Sequence, residues 1–330
     1  MTKPTVAVLI PSPMRQRILS PATEADLASF AEVISGHTVE QLPEVLANAQ
    51  ACITGWGTPP LKDELLLQLP NLEVVAHTAG SVRNLVPIAA LERGLKVTHA
   101  AAFIADSVAE LVIGQALRWL RHLDAIDLAM KRSETWQGIR EQFPGRLLGG
   151  RTIGIVGAGY VGRKVIRLFT LFGSTVLVND PFLTPEKAAE LGVEPVSLDE
   201  LFVRSEIVSL HAPALPETDG IVSNARLAMF RDGGLLINFA RGNQVDEEAL
   251  LKELRSQRIF AALDVFKTEP LALDSPLRSA PNVYLSPHIA GQTNDAYLRQ
   301  GQAMVDEVRR LLAGEALQYQ VTTAMFATMA

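Results

Sequence analysis

Ile153-Gly154-Ile155-Val156-Gly157-Ala158-Gly159-Tyr160-Val161-Gly162 is the stretch on which the fold turns. An apolar β-type run ends in glycines at Gly157, Gly159 and Gly162, and an amphipathic helical stretch from Arg163 to Phe172 follows. Alone, the glycine spacing is weak: with glycine near 7% of residues it arises by chance about 0.1 times in a chain of this length. Its context is stronger, because a strand precedes it, a helix follows it, and Asp180 stands at the end of the next strand, 18 residues beyond Gly162. Together these meet the dinucleotide-binding pattern. Gly157 permits a tight turn, Gly159 lets backbone approach a pyrophosphate, and Gly162 lets helix and strand pack closely. The Tyr160 and Val161 amides then face the phosphates from the helix N-terminus. Asp180 reads two ways, as a cap of the Pro181-led turn or as the ligand of the adenosine ribose hydroxyls. The second reading repels a 2′-phosphate and so predicts NAD rather than NADP.

Outward from that stretch, runs at Thr152–Val156, Thr175–Asn179, Ile207–Leu210, Leu235–Asn238, Ala261–Asp264 and Val283–Leu285 read as strands with helical patterns between most of them. A first series precedes it: strands at Thr5–Ile10, Thr38–Gln41, Ala51–Thr54, Leu72–Thr78 and Leu95–His99, and helices at Ala22–Ile34, Leu61–Leu69 and Val86–Gly94. Alternation of this kind predicts parallel sheets with helices on both faces, here two doubly wound units in one chain. Between the series, Ser107-Val108-Ala109-Glu110 has the form of a capping box and predicts that a long helix starts near there. Lys131 to Gly150 reads as a polar connection, and the small apolar tail from Thr322 to Ala330 has no pattern to assign.

The chain has 330 residues, about two domains' worth at roughly 100 to 200 residues each. Lys plus Arg is 30 and Asp plus Glu is 36, giving 30 − 36 = −6 with no charge block. Nucleic acid and anionic membrane are therefore poor partners. A single cysteine, Cys52, excludes an internal disulfide or a Cys-rich metal site and fits a reducing cytoplasm. The six histidines offer no pair at helical ligand spacing, so no metal is expected. The run Val6–Ile10 stops at Pro11, too short for a signal-peptide core. Ile104–Leu123 carries Asp106, Glu110, Arg118 and Arg121, which argues for a buried or interfacial helix rather than a membrane span.

Three later segments place a polar residue at or beyond a strand end, where open α/β sheets bind ligands. They are Asn238-Phe239-Ala240-Arg241-Gly242, Leu263-Asp264 through Glu269-Pro270, and Pro287-His288-Ile289-Ala290-Gly291. Singly, an Arg, a Glu and a His are bland. Beside a nicotinamide they supply what hydride transfer to or from a hydroxyacid needs: a proton carrier, a cation for a carboxylate, and a partner that holds the imidazole in one tautomer.

These segments in this order, with the glycine loop, Asp180 and His211-Ala212-Pro213-Ala214-Leu215-Pro216-Glu217-Thr218, resemble the D-isomer-specific 2-hydroxyacid dehydrogenase family, which includes glyoxylate/hydroxypyruvate reductases and phosphoglycerate dehydrogenases. The resemblance implies a Rossmann NAD-binding domain, residues 101–291, inserted into a flavodoxin-like substrate domain, residues 1–100 plus 292–330. It makes His288 the acid/base, Glu269 its partner and Arg241 the ligand of the substrate carboxylate, with the Ala79 and Gly80 amides on the same carboxylate. It puts Val108 near the nicotinamide and Asp264 on its carboxamide, and it lines the cofactor groove with His211, Ala212, Thr218, Ala240 and Gly291. It also implies a homodimer built around the helix near Ser107, with Trp136 a candidate to reach the partner.

Two positions depart from the family pattern. The usual Asp-Asn pair after Gly80 is replaced by Ser81-Val82-Arg83-Asn84, and Phe239 stands where a small or β-branched residue is usual. Trp56, His77, Ser81 and Arg83 follow substrate-domain strands and are candidates to shape the pocket. No basic cluster is evident for a phosphorylated substrate, and the length leaves no room for a C-terminal regulatory domain, so a small acid such as glyoxylate or hydroxypyruvate is expected. The alternative is an NADH-sensing binding protein like the family's corepressors.

Overall fold

The computed structural model describes residues 3–329, which form two compact units: 3–104 with 292–329, and Ala105–Gly291. Among the described residues, the first unit carries a five-stranded parallel sheet of β1 (Thr5–Val8), β2 (Glu32–Ser35), β3 (Ala51–Thr54), β4 (Val74–His77) and β5 (Lys96–His99), in the order β2-β1-β3-β4-β5. This is the flavodoxin-like order. Both faces of its central strands are covered. Val6, Val8 and Ile53 pack with Met304 and Val308 of the helix Asn294–Leu312, while Ala7, Leu9 and Cys52 pack with Leu46, Val321 and Phe326. Strands wet on neither face read as continuous Val/Ile/Leu/Ala runs, which is why the central strands of this sheet were legible in the sequence and the half-exposed edge strand β2 was not.

The second unit carries β6 (Thr152–Val156), β7 (Thr175–Asn179), β8 (Glu194–Pro195), β9 (Ile207–Leu210), β10 (Leu235–Asn238), β11 (Phe260–Leu263) and β12 (Val283–Leu285). Its parallel order among the described residues, β12-β11-β10-β9-β6-β7-β8, reverses direction between β6 and β9. That reversal is a topological switch point, and the loops leaving its strands open the crevice where such sheets hold ligands.

Several sequence expectations give way. Helix and strand between Ala22 and Gln41 are redistributed: the helix is Pro21–Phe30, capped by Ser20, and the strand is Glu32–Ser35. The β-branched pair Val33-Ile34 pairs with Val6 and Ala7 instead of extending the helix. Thr38–Gln41 is a turn in which the Gln41 Oε1 accepts from the His37 and Thr38 amides. Leu61–Leu69 is helical only over Asp63–Leu66.

The expected capping box at Ser107 is absent, because the helix already runs Ala101–Leu120. Ala101 and Ala102, strong helix formers directly after β5, start it six residues earlier, and Ser107 lies buried inside it. The supposed polar connection contains the end of one helix, Leu123–Lys131, and another, Trp136–Gln142, whose Thr135 cap accepts from the Gly138 amide. The tail forms a helix, Thr323–Thr328, capped by Thr322, with Ala330 outside the described residues. Among the described residues no helix is long and apolar enough to cross a membrane.

Candidate active site

The glycine loop leaves β6 and enters the helix Tyr160–Leu171. Gly157 has φ +94°, and a Cβ there would lie 2.7 Å from the Ala212 nitrogen, so the loop abuts the His211-Ala212 backbone that leaves β9 across the switch point. A Cβ on Gly162 would lie 2.0 Å from the Gly157 oxygen, which enforces the close helix–strand approach. At Gly159 a Cβ would meet nothing within 4 Å, leaving space over the middle of the loop. The Ala158 peptide is held from both sides: its N–H donates to Asp180 Oδ2 at 2.6 Å and its carbonyl accepts from Arg163 Nε at 2.8 Å. Tyr160 and Val161 open the helix, Tyr160 being 45% exposed.

Asp180 caps the Pro181 turn, the first of its two sequence readings, and also binds the glycine loop. Its Oδ1 accepts from the Phe182 N–H at 2.7 Å, capping the Pro181 turn, while Oδ2 steadies the glycine loop. Each carboxylate oxygen has a second lone pair, so ribose hydroxyls are compatible with both bonds. The open cradle at Gly159, the helix N-terminus and this carboxylate are the donor and acceptor set that a dinucleotide needs, and the residues fit that group.

The remaining groove residues are fixed by local bonds. His211 accepts its strand-end position through a bond from its N–H to the Val156 carbonyl (2.7 Å), and its Nε2 pairs with Ser209 Oγ at 2.9 Å. Burial pushes its imidazole down to about 3, so it is neutral at pH 7 and offers no cation to a phosphate. Thr218 Oγ1 donates to the Pro213 carbonyl at 2.6 Å and closes the 213–218 turn. Ala212 is buried, and its carbonyl accepts from Gln244 Nε2 at 2.7 Å. Val108 is buried within the helix Ala101–Leu120.

Arg241, Glu269 and His288 come together in the second unit from the ends of β10, β11 and β12. Glu269 Oε2 pairs with His288 Nδ1 at 2.7 Å, and its Oε1 accepts from the Phe266 N–H at 3.0 Å, so the carboxylate is fixed at both oxygens. Burial lowers the Arg241 guanidinium below its ordinary value, while the nearby Glu269 charge acts the other way. The Arg241 and Glu269 segments touch: a Cβ on Gly242 would lie 1.9 Å from the Phe266 carbonyl carbon, so only glycine lets them approach this closely. Asn238 holds the Arg241 turn, its Nδ2 donating to the Arg241 carbonyl (2.9 Å) and its Oδ1 accepting from the Ala240 N–H (3.1 Å).

His288 has φ +55°, a left-handed backbone uncommon for a residue with a side chain. Asp264 imposes it. This 1% exposed carboxylate accepts from Ser286 Oγ at 2.6 Å, Ile289 N–H at 2.9 Å and Ala290 N–H at 2.7 Å, and the Asp264 carbonyl accepts from the His288 N–H at 2.8 Å. The structure thus uses Asp264 to shape the loop that runs through His288 to Gly291. Asn238 and Gly242 stand within a segment singled out in the sequence but with no role given there, and Ser286 was not singled out. Phe239 is buried, and nothing in the structure explains its size.

Ala79 and Gly80 belong to the first unit, in the loop leaving β4. The Ala79 carbonyl accepts from the Ala100 N–H at 2.9 Å, and the Gly80 carbonyl pairs with His99 Nδ1 at 2.8 Å. In a trans peptide the N–H points opposite to its carbonyl, so the Gly80 and Ser81 amides are turned away from β5. His77 is the last residue of β4 and is buried, bonded to Thr54 Oγ1 at 3.0 Å and to the Ser81 backbone, and so supports the loop from beneath. Trp56 is 36% exposed and meets the Tyr297 ring edge-on at 5.6 Å.

Residues 113–290 match the family model for the D-isomer specific 2-hydroxyacid dehydrogenase NAD binding domain. Over 300 residues the chain is 36% identical to D-3-phosphoglycerate dehydrogenase of Mycobacterium tuberculosis, covering 90% of this chain and 56% of that protein. It is 35% identical over 281 residues to hydroxypyruvate reductase of Thermotoga maritima, covering 84% of this chain and 90% of that protein. The chain thus spans little more than half the length of the phosphoglycerate dehydrogenases it matches. Among solved structures, a phosphoglycerate oxidoreductase from Rhizobium etli superimposes with a TM-score of 0.83 at 27% identity, covering 97% of this chain and 99% of that one. D-2-hydroxyisocaproate dehydrogenase shares the fold at a TM-score of 0.80 and 22% identity, covering 96% and 99%.

Proposed function

The chain belongs to the D-isomer-specific 2-hydroxyacid dehydrogenase family, and on that footing we propose that it interconverts a small D-2-hydroxyacid and its 2-oxoacid with NAD as cofactor. The observation that carries this reading is the 2.7 Å pair between His288 Nδ1 and Glu269 Oε2, beside an Arg241 turn clamped to the same segment by Gly242. The Gly157–Gly162 loop, the amides of Tyr160 and Val161, and Asp180 would hold NAD, which when bound would supply the hydride acceptor or donor.

The protein's own residues do the rest. Glu269 engages Nδ1 of His288, so proton exchange with substrate falls to Nε2. In oxidation the neutral imidazole takes the hydroxyl proton; in reduction the imidazolium returns it to the carbonyl oxygen. Arg241, cationic at all working pH values, binds the substrate carboxylate through its planar fork. In the first unit, the backbone N–H groups of the Ala79–Ser81 loop are proposed as donors to a carboxylate, Gly80 and Ser81 being the amides turned away from β5. Asp264 shapes the His288 loop by accepting three hydrogen bonds, two at Oδ1 and one at Oδ2, and a contact to the nicotinamide carboxamide would use the remaining acceptor capacity of Oδ2.

A panel of 2-oxoacids with NADH, followed at about 340 nm, tests the reading. Turnover of glyoxylate or hydroxypyruvate is expected, together with loss of activity in His288→Ala and retained NADH binding. Tight NADH binding with no turnover across the panel would overturn it in favour of nucleotide sensing.

A further inference from the structure

The Ala79–Arg83 loop is held from two directions. From beneath, His77, His99 and Ala100 hold the backbone of Ser81, Gly80 and Ala79, as described above. From outside, the C-terminal segment closes over it. Glu307, fully buried, accepts from the Gln318 and Tyr319 amides at 3.0 Å each. That turns the chain so that residues 319–321 run antiparallel along β5: the His99 N–H donates to the Tyr319 carbonyl (3.1 Å) and the Val321 N–H to the Val97 carbonyl (2.7 Å).

The helix Thr323–Thr328 then lies against the loop side of the sheet, with Phe326 buried and Met325 and Met329 packed on the cluster that includes Val82, Leu85 and Val86. At its end Met329 makes two contacts with the loop. Its sulfur accepts from the Val82 N–H at 3.1 Å, and its carbonyl accepts from Arg83 Nη1 at 3.1 Å. The departure at Arg83 and the unpatterned tail, unexplained in the sequence, are thus one feature.

We infer that the segment 319–329 is a positioning element for the Ala79–Arg83 loop, and that through Met329 and Arg83 it fixes the backbone donors that meet the carboxylate of a 2-oxoacid. The inference rests on the reading of that loop as a carboxylate donor. Without the outer anchor, the Val82 carbonyl still accepts from the Leu85 and Val86 amides, but the Val82 N–H and the Arg83 guanidinium lose the contacts that hold this end of the loop against the tail, and the direction of the adjacent Gly80 and Ser81 amides is less tightly held. Misplacement of about 1 Å in a substrate-positioning group can cost up to about a hundredfold in rate.

The test compares the full chain with a chain ending at Val321 and with the double variant Met329→Leu plus Arg83→Met, which keeps the helix and its apolar packing. Two quantities are read: amide hydrogen exchange of the peptide 79–86 by mass spectrometry, and KM for hydroxypyruvate or glyoxylate alongside the Kd for NADH. Expected in the shortened chain are exchange faster by about tenfold and a KM for the 2-oxoacid raised by about tenfold, the same directions in the double variant, and an unchanged NADH Kd. Unchanged exchange in both would overturn the anchoring role. Faster exchange with an unchanged KM would show instead that the loop is anchored but does not bind the carboxylate, and the reading of the loop would fail. Equal losses for oxoacid and NADH would mark general destabilisation and also overturn the inference. Should the shortened chain not fold, the double variant decides.

Discussion

Glu269 binds His288 Nδ1 with one oxygen and the Phe266 N–H with the other; glutamine keeps the size but offers a single oxygen, so one of these two contacts meets an NH2 group instead. Glu269→Gln should therefore lower kcat/KM by about tenfold or more in both directions while NADH affinity is kept. Steady-state kinetics alongside NADH titration check this, and an unchanged kcat/KM would remove Glu269 as the partner of His288. His288→Ala should lower both directions further, by about a hundredfold or more. Asp180 makes a second residue-scale prediction. On the reading of Asp180 as the ribose ligand its charge would repel a 2′-phosphate, and it also steadies Ala158, so Asp180→Ala should raise KM for NADH by about tenfold and narrow its advantage over NADPH. Equal kcat/KM for NADH and NADPH in the unmodified protein would refute the premise.

Between elements, the decisive contact is the loop after β10 against the loop after β11. A methyl at Gly242 cannot fit 1.9 Å from the Phe266 carbonyl carbon, and backbone cannot yield as a flexible side chain does. Gly242→Ala should therefore part Arg241 from Glu269. Expected are a loss of kcat/KM of about a hundredfold, a stability loss of about 1–3 kcal/mol, and NADH affinity retained. A crystal structure or an activity assay showing the variant unperturbed would mean that the two loops are not coupled. The His288 loop obeys the same logic: a strained left-handed residue persists because a buried carboxylate with three donors holds the turn around it.

At the scale of the molecule, Leu123, Leu128, Met130, Trp136 and Leu147 are 53%, 47%, 48%, 68% and 75% exposed, a concentration of apolar side chains over residues 123–147. Apolar surface of this kind is usually covered, and we propose a second copy as the cover. Light scattering should give twice the 35.8 kDa chain mass at micromolar concentration, and a monomer mass would contradict the dimer. Acid stability is a second global property. Burial pushes His77 from 6.5 down to about 4, so its neutral form is the one the fold accepts. The unfolded chain binds the proton first. Its contribution is therefore complete above pH 6.5 and is lost as pH falls toward 4, on the order of 3 kcal/mol in all. His77→Gln should flatten the fall of Tm over that window relative to the unmodified protein, and parallel Tm profiles would refute this.

The sequence alone determined four strands of the first sheet and six of the second, the glycine loop with Asp180 after it, and the Arg241, Glu269 and His288 segments that the fold brings to the ends of β10, β11 and β12. The reason is that these depend on local features: strands buried on both faces are continuously apolar, and a turn that approaches a phosphate needs glycine at fixed offsets. Sequence misplaced β2 because Val33 and Ile34 suit a helix face or a strand equally until β1 offers them a partner. It misplaced the start of the helix Ala101–Leu120 because Ser107 and Glu110 have capping chemistry wherever they stand. Only the tertiary structure decided that Gly242 must be glycine, that Asp264 shapes the His288 loop, and that Met329 meets Val82 and Arg83. Each of these is a contact between segments far apart in the chain or a close approach of two backbones, and neither leaves a periodic trace in the residues that make it.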